Sequence, residues 1–310
     1  MGGTGILWIQ KRSLLRSIRK SRSAPDSASR QSSTLAVEGS FVQVRSLCPA
    51  SKKFETRYTL KVSAIIEVEK LLKVFGTVRA VDGLSFHVEE GTITGLLGPN
   101  GAGKTTTIQM LLDLITPTSG RIRILGKEYR TAREDILSQL NFSSPYVSLP
   151  GNLTVYENLL TFGRLYGVQN LREEIERLAD FFEIRTFLKK LTYHLSTGQL
   201  TRLNLTKALL NQPKLLLLDE PTASLDPDIA DRTRVLLKRI QKERGVTILY
   251  TSHNMDEVEE ICDNVIFIQH GRFKDEGTPA ELVKKYCHED LNDVFLHIAR
   301  SNDEERHRNS

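Results

Sequence analysis

No stretch of this chain approaches the ~20 consecutive apolar residues that a bilayer-crossing helix needs. The longest purely aliphatic run is Leu215–Leu218, and it ends in two carboxylates. A membrane-spanning role is therefore not expected, and any work at a membrane would be done from its side. Cysteine is scarce: Cys48, Cys262 and Cys287 are the only three in 310 residues. Their number is odd and no CxxC pair exists, so neither a disulfide framework nor a zinc site is implied, and a reducing compartment fits. Acidic residues are nearly missing from the head of the chain. Residues 1–60 hold 11 Lys/Arg against 3 Asp/Glu, whereas the remainder carries a slight negative balance within a net charge of +5. The basic character belongs to the head alone, so it does not predict a nucleic-acid-binding core.

That head interleaves Lys11, Arg12, Arg16, Arg19, Lys20, Arg22 and Arg30 with serines. Such a composition buries too little apolar surface to fold unaided. We expect residues 1–60 to be a disordered leader, or to lie outside the translated product. An Arg/Ser-rich, acid-poor segment also has the composition of an organelle transit peptide. From Ala64 onward the pattern is globular. Ile65–Val74, Leu84–Val88, Thr92–Leu97, Arg121–Leu125, Leu215–Leu218 and Val246–Thr251 read as strands. A glycine-rich turn follows Leu97, and a helix begins at about Lys104. Residues 154–212 lack β-like runs, and Leu171, Ile175, Leu178 and Phe182 fall on one helical face. Strands alternating with helices predict an α/β fold with a parallel sheet. The last ten residues are polar and are expected to fray.

Two segments carry the chemistry. Gly98-Pro99-Asn100-Gly101-Ala102-Gly103-Lys104-Thr105 matches the phosphate-binding pattern GxxxxGK[ST] between an apolar strand and a helix. Glycines let backbone N–H groups converge on phosphate oxygens, and the helix behind presents its positive end there. Lys104 would reach the β- and γ-phosphates of a nucleotide, with the Thr105 hydroxyl on Mg²⁺ and Thr106 beside it. The second segment is Leu215-Leu216-Leu217-Leu218-Asp219-Glu220. A strand apolar on both faces delivers two acids at its carboxyl end, the edge where ligands bind in open α/β sheets. Asp219 would serve the metal, and Glu220 would polarise an attacking water.

Leu195-Ser196-Thr197-Gly198-Gln199 reads as LSxGQ, about 20 residues before Asp219. Taken alone it is a good helix start, with Ser196 as N-cap. Together with the two preceding motifs, the chain from about 65 to 300 resembles the ATP-binding subunits of ABC (ATP-binding cassette) transporters. Among these it is similar to the ABC-2, multidrug or daunorubicin-resistance-like exporters. Ser224-Leu225-Asp226 looks like the family's D-loop, His253 like its switch histidine, and Phe75 like the aromatic that stacks on adenine. The resemblance implies a P-loop ATPase core, an antiparallel β subdomain, and an inserted helical subdomain over about 142–212, the whole cassette spanning 64–300. It also implies a head-to-tail dimer, homodimer or paired cassettes, in which Ser196, Thr197, Gly198 and Gln199 of one copy complete the ATP site of the other. In that arrangement Asp226 links the two sites. The implied partners are membrane permease subunits on separate chains, reached from the cytoplasmic face of the membrane, and nucleic acid is not expected.

One departure stands out. The family places a glutamine near the position occupied here by Ser143 to Pro145, and none is present. Gln139 falls several residues too early, so Ser143, Ser144 or a water is expected in its place. The tail Glu289–Leu296 resembles the segment ending cassettes that serve separate export permeases. The competing readings are a soluble non-transport ABC ATPase and an ATP-dependent switch without turnover; Lys104, Asp219, Glu220 and His253 being all present argues against the latter.

Overall fold

The computed structural model describes residues 63–144, 148–223 and 225–300 in full, together with the backbone of three short strands before residue 63 and of residues 301–308. The expectations for 1–60 and for the 301–310 tail otherwise lie outside the described residues, as do Pro145 and Ser224. The chain divides into two compact units, Met1–Val62 and Ser63–Ser310. In the first, strands β1 (Thr34–Val37), β2 (Ser40–Val42) and β3 (Arg57–Leu60) form a sheet in the order β2-β1-β3.

The second unit contains two sheets. β4 (Ala64–Phe75) and β5 (Val78–Glu89) form a long antiparallel hairpin whose turn uses Gly76 at φ 57°, and β7 (Ser119–Ile124) flanks β4. In β5 the alternation anticipated from Leu84 to Val88 is real: Leu84, Phe86 and Val88 are buried and the residues between them exposed. The strand nevertheless begins six residues earlier, at Val78, because the hairpin partner β4 supplies the backbone bonds that its polar start could not signal.

The larger sheet runs β12-β11-β6-β10-β9-β8. It comprises β6 (Ile93–Leu97), β8 (Leu140–Ser143), β9 (Leu215–Asp219), β10 (Thr247–Thr251), β11 (Asn264–Gln269) and β12 (Arg272–Gly277), all parallel except the last pair. The four leucines of β9 are fully buried, and they alternate between cores: Leu216 and Leu218 on one face, Leu215 and Leu217 on the other. Each such side chain contributes about 1.5–3 kcal/mol by leaving water. Strands β8, β11 and β12 were not among those anticipated; β8 has four residues, two of them polar, too short a run to register.

The helices among the described residues are α1 (Lys104–Leu111), α2 (Tyr129–Leu137), α3 (Val155–Leu165), α4 (Leu171–Phe181), α5 (Thr197–Ala208), α6 (Pro227–Arg244), α7 (Met255–Ile261), α8 (Pro279–Tyr286) and α9 (Leu291–Arg308). The 154–212 stretch is helical as anticipated, with 3₁₀ turns at Arg185–Phe187 and Thr192–His194. Ile175, Leu178 and Phe182 are buried on the expected face. Both α3 and α5 begin with complete capping boxes, Thr154/Glu157 and Ser196/Gln199. Cys262 and Cys287 are free thiols. Among the described residues no helix is long and apolar enough to cross a membrane.

Candidate nucleotide site

Strand order brings the motifs together. β10 lies between β6 and β9 and pairs with both, so Gly98–Thr105, Asp219–Glu220 and His253 all follow the carboxyl ends of three neighbouring parallel strands. The loop after β6 is built from positive-φ glycines: Gly98 at 157°, Gly101 at 77° and Gly103 at 101°. Its walls are backbone from other elements. A Cβ on Gly98 would stand 2.1 Å from the carbonyl oxygen of Ile268, and one on Gly103 would stand 2.6 Å from that of Ala80. Gly271, in the β11–β12 turn, comes equally close to Val81, whose neighbour Asp82 donates its N–H to the Gly271 carbonyl at 2.8 Å. Gly271 in turn donates to Ala102 at 2.9 Å. Gly98 and Gly103 are thus required by packing as well as by phosphate approach, whereas Gly101 at the open tip is required by its positive φ alone.

Lys104 is buried and donates to the carbonyls of Gly98 (2.6 Å) and Pro99 (3.3 Å), which bends its ammonium back over the loop. Burial pushes its pKa below the ordinary lysine value, opposed by the carboxylates of Glu220 and Asp219. Thr105 is exposed on the first turn of α1, a turn without acidic residues, and Thr106 is half-buried beside it. Asn100 and Gly101 are exposed at the tip, Pro99 is half-buried and Ala102 buried.

The acids are held by Thr251, a residue that sequence reading had treated only as the end of a strand. Its hydroxyl donates to Asp219 Oδ1 at 2.7 Å and accepts the Glu220 N–H at 3.0 Å. Glu220 adopts φ 51°, turning its side chain out of the strand line, and its Oε1 lies 2.5 Å from His253 Nε2. A carboxylate and an imidazole in direct contact are a pair between which a proton can move. Asp226 is exposed at the N-cap position of α6, where its side chain makes no capping bond, with Pro227 at the first helical position. Phe75 is 49% exposed at the end of β4, and Lys73 Nζ lies over its ring, 4.9 Å from the centroid.

The signature stands apart. Ser196 and Thr197 are exposed, and among the described residues no hydrogen bond joins Ser196–Gln199 to Gly98–Thr105. Gly198 is buried because a Cβ there would meet Ile229 of α6 at 2.8 Å, locking the signature helix against the helix that Asp226 begins.

The absent glutamine has a geometric answer. Gln139 lies at the amino end of β8, where its backbone carbonyl accepts from Lys214 and Leu215 and its side chain bonds the Asp135 carbonyl. It is at the wrong edge of the sheet. Ser143 pairs in register with Leu218, next to Asp219, and both Ser143 and Ser144 are buried. They line a small cavity with Thr201, Asn204, Leu205 and Pro221.

A family model described as ABC transporter matches residues 81–223. The chain is 39% identical over 238 residues to Nod factor export ATP-binding protein I of Paraburkholderia xenovorans (strain LB400), covering 75% of this chain and 77% of that protein. This chain belongs to the ABC transporter ATP-binding family. The cassette is also 40% identical over 227 residues to bacitracin transport ATP-binding protein BcrA of Bacillus licheniformis, covering 72% of each. It is 36% identical over 238 residues to daunorubicin/doxorubicin resistance ATP-binding protein DrrA of Streptomyces peucetius, covering 76% of this chain and 72% of that one. Among solved structures, one titled "Structure of ATP binding subunit of ABC transporter" superposes with a TM-score of 0.67 at 27% identity, over 75% of this chain and 98% of that one. The cassette is accordingly a nucleotide-binding ATPase of a transporter, of the α/β cassette fold anticipated from its motifs.

Proposed function

We propose that this cassette drives export through separate permease subunits, by hydrolysing ATP between two paired cassettes at the cytoplasmic face of a membrane. The observation that carries the reading is the separation of its two half-sites. Lys104, Asp219, Glu220 and His253 gather at one sheet edge, while Ser196 and Thr197 are exposed at the start of α5 and, among the described residues, no hydrogen bond joins them to that edge. Two exposed half-sites on one chain suit a head-to-tail pair, in which each signature helix turns its N-terminus toward the nucleotide held by its partner. The relatives named for Nod factor export, bacitracin transport and drug resistance support the direction of transport.

In this reading Phe75 stacks on the base and the Gly98–Thr106 backbone and Lys104 hold the phosphates. Residues fit for Mg²⁺ are present: the exposed Thr105 hydroxyl and Asp219, whose Oδ1 is fixed by Thr251. These are hard oxygen donors of the kind magnesium takes alongside phosphates and water. When bound, the ion neutralises charge building on the phosphates. Glu220 accepts a proton from water, and its contact with His253 keeps the carboxylate aimed. Ser143 or Ser144, alone or through a water, serves where the family's glutamine stands, and Asp226 links the two sites across the pair.

The test is a pull-down from gently solubilised membranes with Glu220→Gln, which traps the ATP-bound pair. Co-purification of a polytopic membrane protein is expected. Recovery of soluble partners alone would replace transport with a soluble ABC ATPase role.

A further inference from the structure

Four residues from His253, at the start of α7, lies a carboxylate that the roles above leave unused. Glu257 is 7% exposed, and one of its oxygens accepts three hydroxyls: Thr222 Oγ1 at 2.7 Å, Tyr250 Oη at 3.1 Å and Ser252 Oγ at 3.2 Å. Its other oxygen pairs with Arg234 of α6 at 3.3 Å. An acid in the first turn of a helix ordinarily faces water and favours the helix dipole, as the exposed Asp256 beside it does. Burying a carboxylate is unfavourable unless it is paired and saturated with donors, and Glu257 is both.

The donors come from informative places. Thr222 lies two residues after Glu220, on the way to Asp226. Ser252 immediately precedes His253, and its hydroxyl also accepts the Asn254 N–H at 3.0 Å, so the proton it carries is directed at Glu257. Tyr250 ties in β10, and its hydroxyl lies 3.2 Å from that of Thr222. One carboxylate therefore grips the chain just beyond Glu220, the chain just before His253, and, through Arg234, the helix that Asp226 begins. The cleft of about 540 Å³ bounded by Glu220, His253 and Leu225 has this cluster as its floor.

We propose that Glu257 is the positioning residue for hydrolysis, setting the Glu220–His253 contact from a buried point behind both loops. It acts on Glu220 and His253 through Thr222 and Ser252. The proposal rests on Glu220 and His253 serving the reaction.

The test uses the full chain and steady-state ATP turnover, with ATP affinity measured separately by titration. Glu257→Gln keeps the length and removes the charge, and Asp256→Asn removes the same charge one residue away. Thr222→Val and Ser252→Ala each delete one donor while leaving the carboxylate in place. Glu257→Gln is expected to lower kcat at least tenfold with KM and ATP affinity within about twofold, while Asp256→Asn stays near wild type. Thr222→Val should lower kcat less, and its effect should largely vanish in the Glu257→Gln background, since both act on one linkage. Equal losses of kcat and ATP affinity would overturn the proposal, as would unchanged kcat in Glu257→Gln. Should that variant fail to fold, full turnover in both single-hydroxyl variants would also overturn it. Glu220→Gln run alongside separates the outcomes: its turnover must collapse if the underlying assignment is right.

Discussion

Replacing Thr251 by valine removes one oxygen from a fully buried position and keeps the side-chain shape. That oxygen makes two bonds at once, donating to Asp219 Oδ1 at 2.7 Å and accepting the Glu220 N–H at 3.0 Å. A hydrogen bond to a charged group contributes about 1.5–3 kcal/mol. The Glu220 N–H retains a second acceptor, the Thr251 carbonyl at 3.2 Å, so its share of the loss is small. Thr251→Val should therefore destabilise the cassette by about 2–3 kcal/mol, or roughly 4–12 °C in Tm for a unit of this size. Turnover should fall at least tenfold, since both acids lose their common anchor. Thr251→Ser is the control: it deletes a methyl, costing about 1 kcal/mol, but keeps the hydroxyl and should retain turnover within about threefold. The paired measurements are thermal unfolding and ATP hydrolysis. If valine and serine variants prove alike in both, the hydroxyl does not hold the acids and the reasoning fails.

Gly98→Ala should weaken ATP binding by on the order of 100-fold, about 2.7 kcal/mol, because its Cβ would sit 2.1 Å from the Ile268 carbonyl; titration with a fluorescent ATP analogue reads it, and unchanged affinity would count against the packed cradle. Ser196→Ala removes an N-cap worth about 1 kcal/mol; Tm should fall by only a few degrees while turnover drops sharply and ATP binding to the single chain is preserved, and a proportionate loss of all three would leave the signature a mere helix start. Two groups that join α8 to β12 predict a pH window. Burial raises the pKa of Asp275, but bonds from Lys285, Tyr286 and the Glu276 N–H outweigh it and leave the carboxyl below its ordinary value of 3.8. A lowered acid stabilises above 3.8 and loses that contribution as pH falls below it. Burial, then Asp275, raises Tyr286 from 10.0 to about 12, so its contribution is complete below pH 10 and is lost between pH 10 and about 12. Asp275→Asn should shrink both the acid and the alkaline loss of Tm relative to wild type, and parallel Tm–pH curves would refute the assignment.

The cassette core was legible because its physics is local. A glycine-rich turn between an apolar run and a helix, or two acids after four leucines, states its geometry within ten residues. Strand β8 was not legible, since Leu140–Ser143 is apolar at only half its positions and owes its place to pairing with β9, 75 residues away. The hidden parts of the site share that origin. Thr251 read as an ordinary β-branched strand residue, and only the register with Asp219 gives it a role. Nothing in the sequence around Glu257 marks it, since its burial depends on Thr222, Tyr250 and Arg234 arriving from three other elements. The substitution at Ser143–Ser144 could be noticed as a missing residue, but the placement of Gln139 at the opposite sheet edge required the fold.

The cradle after β6 has a practical corollary for building chimeras. Its walls are contributed by the Ala80–Asp82 stretch of the small sheet and by the Ile268–Gly271 turn of the large one, at backbone-to-backbone range. The hairpin β4–β5 is therefore not an exchangeable module, despite its clean boundaries. Transplanting it from a relative whose backbone at Ala80 runs even half an ångström differently would reshape the phosphate pocket of the recipient. Swaps between such transporters should place their junctions in the helical stretch instead, or carry the hairpin, the cradle and the β11–β12 turn together as one inherited block.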